Sequence, residues 1–149
     1  MLKRFFLMKF FPGSVDAGLL TLRLISAFSL FLRHGLEKLT TFSAVRDSML
    51  VHHGYVTAIG VTPSLICATL ADGVCTLLVI FGLATRWAAL GSCVSLLVAW
   101  TLIKHMAFLG KSPDANTGEL MVAYIGVMAA LFLAGGGRFS LDSLIDRRG

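Results

Sequence analysis

Charged side chains are scarce in this chain. Asp, Glu, Lys and Arg together make up 14% of its 149 residues, whereas hydrophobic residues make up 56% and the mean hydropathy is +0.83. A soluble domain typically carries about 25% charged residues. The shortage therefore excludes an ordinary soluble globular domain, and the long apolar runs predict an integral membrane protein.

The sequence also lacks the short motifs by which many cofactor and metal sites are recognised. It contains no G-x-x-x-x-G-K, G-x-G-x-x-G, H-E-x-x-H or C-x-x-C motif. We therefore expect neither a nucleotide site nor a metal site, although His34, His105, Glu119 and either His52 or His53 are acceptable ligand types. A net charge of +5 favours binding to a nucleic acid or to an anionic membrane surface. No nucleic-acid-binding module is recognisable, so the membrane surface is the favoured interpretation.

The three cysteines offer no obvious redox dithiol. Cys67, Cys75 and Cys93 all fall inside apolar runs. The first two lie eight residues apart on one predicted helix, about 12 Å by helical rise, which is too far for a disulfide. Cys75 and Cys93 have similar depths across a tight hairpin, so redox coupling is conceivable. Close packing of small residues, together with Gly91 and Ser92, is the favoured interpretation.

Four apolar runs predict an all-α integral membrane protein, a four-helix bundle in one domain. Each run is near the roughly 20 residues that cross about 30 Å of hydrocarbon, where a helix satisfies its own backbone hydrogen bonds. The predicted domain is residues 1–149, with spans at residues 17–34, 64–83, 87–105 and 119–135. Pro63 fits the first turn of the second span. Residues 84–86 form a tight hairpin, and the glycines at 135–137 end the fourth span.

Short interfacial helices are predicted at the N-terminus and in the first loop. The N-terminal segment combines Lys3, Arg4 and Lys9 with several phenylalanines and lacks a signal-peptide cleavage site. The first-loop helix is predicted around residues 43–52. Two sequences are suited to helix capping: Ser14 or Asp16 before the first span, and F-S-L-D at residues 139–142 before a short C-terminal helix.

The distribution of basic residues predicts that both termini are cytoplasmic. An even number of spans puts the termini on one side with seven lysines and arginines, leaves five on the other side, and places Arg23 within the first span. The more basic side of a membrane protein usually faces the cytoplasm. We therefore expect a multi-pass protein with the lipid bilayer as its main partner.

The first span carries ionisable residues on one face. At 100° per residue, Arg23, His34, Glu37 and Lys38 fall within one helical stripe, which should face protein. Asp72, in the second span, is an intramembrane acid that needs a partner. The backbones of Arg23 and Asp72 differ in depth by about 6 Å. We therefore predict a structural ion pair between Arg23 and Asp72.

A second group of ionisable residues lies at the extracytoplasmic ends of the spans. The ligand-binding candidates are His34, Glu37, Lys38, Lys104, His105 and Glu119. A neutral histidine can exchange a proton with a quinone or phenol, and lysine can favour the anionic form. The alternative is that these side chains are anchors whose charged groups reach the membrane surface. The sequence identifies no catalytic residue.

Three segments resemble the DoxX family. LRLISAFSLFLRHGLEKL, residues 22–39, is similar to its first span with an H-G-x-x-K-L ending. LADGVCTLLVIFGLATRWAAL, residues 70–90, resembles its second-to-third hairpin. GELMVAYIGVMAALFLAGGGRFSLD, residues 118–142, resembles its fourth span and G-x-G-R-[YF]-S-x-D tail. The resemblance runs from about Leu19 to Leu144, but the family usually has glutamate at the position of Asp72 and commonly G-P-G-R where this chain has G-G-G-R.

The resemblance implies a four-helix protein of the inner membrane. Some family members are associated with membrane redox chemistry, notably a subunit of thiosulfate:quinone oxidoreductase. Two functions are therefore open: a redox-associated membrane subunit that binds a quinone-like or phenolic small molecule, and a non-catalytic accessory subunit of a larger membrane complex. Electrons would enter through a partner redox subunit in either case, because the sequence has no cofactor motif of its own.

Overall fold

The computed structural model describes residues 14–52, 60–103 and 113–146, and these residues form six continuous helices and no strand. α1 comprises Ser14–Leu30, a π-helical turn at Phe31–Gly35, and Leu36–Thr40; α2 is Phe42–His52. α3 comprises Val61–Thr69, a π-helical turn at Leu70–Cys75, and Thr76–Phe81. α4 comprises Thr85–Val98 and a π-helical turn at Ala99–Ile103, α5 is Pro113–Ala134, and α6 is Leu141–Asp146. The prediction of an all-α protein is confirmed for these residues.

The four long helices α1, α3, α4 and α5 pack as a bundle. Each contacts the next long helix along the chain, and α5 also contacts α1. We call the end with the α3–α4 hairpin and α6 the terminal end, and the end with residues 40, 60 and 103 the loop end. The core consists of small and aliphatic side chains: Ala27, Leu30, Val79, Ala88, Ala89, Leu96, Met128 and Leu131.

The polarity of this bundle is the reverse of that in a soluble protein. Its outer surface carries large apolar side chains, and Ile25, Trp87 and Leu133 are each at least 68% exposed. Arg23 and Asp72, by contrast, are buried. Extensive exposed apolar surface is typical of a membrane-embedded protein. Two helices, Val15–Thr40 in α1 and Val61–Phe81 in α3, are long and apolar enough to cross a membrane. The apolar part of α5, Gly118–Ala134, is shorter.

The predicted and observed helix ends agree most closely at the terminal end of the bundle. A three-residue connection joins α3 to α4, with Gly82 and Ala84 at φ values of 72° and 48°, and Gly135 at φ 80° follows the end of α5. At the loop end α1 continues to Thr40, beyond the predicted limit near residue 34. Helices are present at the predicted first-loop and C-terminal positions, whereas the N-terminal interfacial helix lies outside the described residues.

Candidate functional site

Asp72 forms a buried ion pair with Lys38. Lys38 Nζ donates a hydrogen bond to Asp72 Oδ2, and the two side chains are 16% and 6% exposed. Side chains on an α-helix tilt toward its N-terminus. Lys38 therefore leans from the end of α1 into the bundle, and Asp72 leans toward the loop end, where α3 begins. The two side-chain directions converge, which explains why this pair forms.

Gly35 allows α1 and α3 to approach closely beside this pair. A Cβ atom on Gly35 would overlap the backbone carbonyl oxygen of Asp72. One residue further along α3, a Cβ atom on Gly73 would lie 3.2 Å from Leu39 Cδ1. Because neither glycine has a side chain, the π-helical turn of α3 can pack directly against α1, within reach of Lys38.

One carboxylate oxygen of Asp72 has no partner among the described residues. Oδ1 is shielded from solvent and accepts no hydrogen bond, whereas the backbone carbonyl oxygen accepts one from Thr76 Oγ1 at 2.5 Å. A buried acceptor left unpaired costs about 1–3 kcal/mol, and more when it is charged. Asp72 therefore retains the capacity to bind a further hydrogen-bond donor.

His34 lies beside the Lys38–Asp72 pair. It is half-buried and interacts electrostatically with Asp72, Lys38, Arg33 and Glu37. The structure thus brings His34 and Lys38 together with Asp72, for which the sequence predicts Arg23 as the partner. Glu37 lies on the exposed side of α1.

Among the remaining predicted ligand-binding residues, only Glu119 lies within the described ranges. Glu119 is exposed on α5. Lys104 and His105 lie outside the described residues, as do His53 and the side chain of His52. Within residues 14–52, 60–103 and 113–146, no three His, Cys, Asp or Glu side chains form a group able to hold a metal ion.

The structure contradicts the predicted ion pair between Arg23 and Asp72. Arg23 is 1% exposed, and its Nη1 and Nη2 donate to the carbonyl oxygens of Gly136 and Phe139, both at 2.7 Å. Similar backbone depths are not sufficient for two side chains to meet, because each side chain also has a direction along its helix. Because the Arg23 side chain tilts toward the start of α1, its guanidinium lies at the terminal end, away from Asp72.

Asp142 joins the C-terminal segment to the start of α4. Its Oδ1 accepts a hydrogen bond from Ala84 N at 2.6 Å, and its Oδ2 accepts from Thr85 N at 2.8 Å and from Thr85 Oγ1 at 2.9 Å. Burial opposes ionisation of Asp142, but the hydrogen bonds from Thr85 and Ala84 and the charge of Arg23 outweigh it and hold the pKa of this carboxyl below its ordinary value. A residue of the C-terminal segment therefore supplies the N-terminal cap of α4.

The two predicted capping sequences differ in outcome. Ser140 Oγ accepts a hydrogen bond from Ser143 N at 3.2 Å, so F-S-L-D caps α6 as predicted. Asp16 Oδ1 instead accepts from Arg138 N at 2.9 Å. Asp16 thus holds the segment after α5 against the start of α1. This terminal-end network is not predicted from the sequence, although four of its residues lie in the G-G-G-R-F-S-L-D tail at residues 135–142.

The cysteine contacts favour helix packing over redox coupling. Cys75 Sγ lies 3.2 Å from the position that a Cβ atom on Gly91 would take, and Cys93 Sγ donates to the Ile125 carbonyl oxygen at 3.9 Å. Cys75 therefore packs against α4, whereas Cys93 packs against α5. Both thiols are free, as is that of Cys67.

Comparison with known proteins identifies one family. The family model for DoxX matches residues 18–105, a range that contains the first two of the three resembling segments and more than half of the 149 residues. The third segment, residues 118–142, lies beyond the match. No curated protein and no solved structure matches the chain. The matched range contains Lys38, Asp72 and His34, and we conclude that this membrane protein belongs to the DoxX family.

Proposed function

We propose that this protein is a redox-associated membrane subunit that binds a quinone-like or phenolic molecule beside the Lys38–Asp72 pair. Oδ1 of Asp72, which has no partner among the described residues, carries the proposal, because a buried carboxylate oxygen needs a hydrogen-bond donor. The hydroxyl group of a phenol, or of a quinol as the reduced form of a quinone, is such a donor. These molecules are uncharged and dissolve in hydrocarbon, so they can reach a site inside a membrane bundle.

His34 and Lys38 would give this site its chemistry. Oxidation of a quinol releases protons together with electrons, and a neutral imidazole beside the hydroxyl can accept a proton. The Lys38 ammonium favours negative charge on a bound oxygen. Asp72 orients the hydroxyl group through Oδ1. A partner redox subunit would accept the electrons.

The proposed setting is the inner membrane, crossed by α1, α3, α4 and α5 with both termini in the cytoplasm. The exposed apolar side chains on the bundle support membrane insertion, and the excess of basic residues on the terminal side supports the orientation. In this setting the Lys38–Asp72 pair lies in the outer half of the bundle.

Single cysteines on a cysteine-free background test the orientation. Ser14→Cys and Ser143→Cys should react with a membrane-impermeant maleimide only from the cytoplasmic side, because both positions lie at the terminal end. Ser43→Cys should react only from the outside. Labelling in intact and inverted membrane vesicles measures both, and reaction of Ser43→Cys from the cytoplasmic side alone would reverse the proposed orientation.

Removing the carboxylate while keeping the fold tests ligand binding. The double replacement Lys38→Met with Asp72→Leu leaves no unpaired charge, so the bundle should fold, but it removes the acceptor for the ligand hydroxyl. A hydrogen bond to a charged group contributes about 1.5–3 kcal/mol, so the Kd for a short-chain benzoquinol should rise about 10- to 150-fold. Titration calorimetry of the purified protein in mild detergent measures the change.

Arg33→Gln is the matched control, because it removes an exposed charge next to His34 and leaves Asp72 intact. Its benzoquinol affinity should equal that of the wild type, whereas His34→Gln should weaken binding without loss of stability. Equal affinity in the wild type and the double variant would reject the ligand site. The accessory-subunit function would then be favoured, with a protein partner that co-purifies in mild detergent while the bundle holds no ligand.

A further inference from the structure

A second buried polar atom without a partner lies on α4. Three buried side-chain polar atoms of the described residues make no hydrogen bond: Arg23 Nε, Asp72 Oδ1 and Trp100 Nε1. The other two guanidinium nitrogens of Arg23 are bound at the terminal end. Trp100 lies near the loop end, and its indole N–H can only donate. The indole N–H of Trp100 and Oδ1 of Asp72 are therefore complementary, because an ionised carboxylate oxygen can only accept a hydrogen bond.

Trp100 and Asp72 lean toward each other along the bundle. Ser92 Oγ donates to the Ala71 carbonyl oxygen at 3.0 Å, which places Ser92 at the depth of Asp72. Trp100 lies eight residues further along α4, about 12 Å toward the loop end. The Trp100 side chain tilts back toward the start of α4, and Asp72 tilts toward the loop end. The two side chains thus approach from opposite ends of this 12 Å interval.

The face of α4 also agrees with this arrangement. Ser92 and Leu96 are both buried, and Trp100 follows them at the same four-residue spacing. Residues four apart lie on one side of a helix. The segment Thr85–Val98 of α4, which contains Ser92 and Leu96, packs against the π-helical turn of α3, and Trp100 follows on the same side of the helix.

Three π-helical turns carry the three residues of interest. His34 lies in the turn at Phe31–Gly35, Asp72 in the turn at Leu70–Cys75, and Trp100 in the turn at Ala99–Ile103. A π-helical turn is rare and is frequently found at functional sites. Its recurrence on three helices of one bundle points to a common site in the loop half.

We infer that Trp100 is the second anchor of the ligand site, and that the ligand is a ring with oxygens on opposite sides. One oxygen, as a hydroxyl, donates to Asp72 Oδ1, and the other accepts a hydrogen bond from Trp100 Nε1. This inference rests on the proposed ligand site at Asp72 and narrows its ligand class to quinols with two oxygens in para positions, of which a benzoquinol is the simplest. A simple phenol has a single oxygen and can occupy one anchor only.

The test compares two ligands in the full-length protein: a short-chain benzoquinol and the alkylphenol of equal chain length. Trp100→Phe keeps an aromatic ring but removes the donor. One hydrogen bond contributes about 0.5–1.5 kcal/mol, so this variant should bind the benzoquinol about 2- to 12-fold more weakly and the alkylphenol as tightly as the wild type does. Thermal unfolding of the same samples reports whether the variant is folded.

Tryptophan fluorescence provides a second readout. The chain has two tryptophans, and Trp87 is 75% exposed at the terminal end. In Trp87→Phe the fluorescence comes from Trp100 alone. Addition of the benzoquinol should change its intensity until the site is saturated, and the Kd from this titration should equal the Kd from calorimetry. In Trp100→Phe the remaining emission from Trp87 should show no saturable change.

The outcomes distinguish the second anchor at Trp100 from the proposed ligand site at Asp72. Equal weakening of benzoquinol and alkylphenol in Trp100→Phe would overturn the second anchor, because a loss of packing affects both ligands. Unchanged benzoquinol binding in Trp100→Phe, together with lost binding in Lys38→Met/Asp72→Leu, would overturn the second anchor but retain the ligand site. Unchanged binding in both variants would overturn the proposed function as well.

Discussion

Asp72→Leu and Lys38→Met should each destabilise the bundle by about 3–5 kcal/mol, whereas the two replacements combined should recover most of that loss. The two side chains are 6% and 16% exposed, so either single replacement leaves a charge buried without its counterion. Replacing both with apolar residues removes the desolvation cost of both charges. The free energy of unfolding in mixed micelles, measured for all four proteins, gives the coupling between the two positions.

Arg46 and Asp47 provide a matched control for this cycle. Their ion pair, at 2.9 Å, joins side chains that are 42% and 62% exposed. Removing an exposed pair of this kind changes stability by about 0–1 kcal/mol. A loss in the Lys38/Asp72 double variant equal to the sum of the two single losses would contradict a stabilising pair.

Arg23→Met should release the segment after α5 from the bundle and destabilise the protein by about 3 kcal/mol or more. The guanidinium donates to the carbonyl oxygens of Gly136 and Phe139, and each such charged hydrogen bond contributes about 1.5–3 kcal/mol. Methionine fills much of the same space but donates to neither oxygen. Asp142, which caps α4, also loses the positive charge that favours its ionised form.

Trypsin cleavage after Arg138 measures this release. The Arg138 side chain is exposed, while its backbone N–H is held by Asp16, so release of the segment should raise the cleavage rate at least several-fold. Arg33→Met is the control, because Arg33 is an exposed arginine on the same helix and should leave cleavage and stability unchanged. Wild-type cleavage and stability in Arg23→Met would show that Arg23 does not hold the segment.

The helices of this protein follow from local features of the sequence. Apolar runs define the long helices. Pro63 lies in the first turn of α3, and Gly135 terminates α5. Ser140 caps α6 with its own hydroxyl. Each of these features acts through residues a few positions away, so sequence alone is sufficient to recognise it.

The candidate site is only partly predictable for the same reason. His34, Lys38 and Asp72 are recognisable one by one, because ionisable residues in apolar helices are exceptional. Trp100 carries no such signal, since an aromatic residue in an apolar run is ordinary. Its significance comes from an indole N–H that is buried without a partner in the part of the chain that the structure describes, and the sequence cannot reveal this.

Hydropathy and charge along the chain are sufficient to predict a helical membrane protein whose buried charges need partners, whereas the packing of the helices selects those partners. Asp72 is bound by Lys38 because Gly35 lets α1 and α3 approach and because both side chains tilt toward the same level. Arg23 tilts the other way and meets carbonyl oxygens more than a hundred residues along the chain. Hydropathy and capping are local properties, whereas the choice of a partner depends on side-chain direction and helix separation, which exist only once the helices have packed.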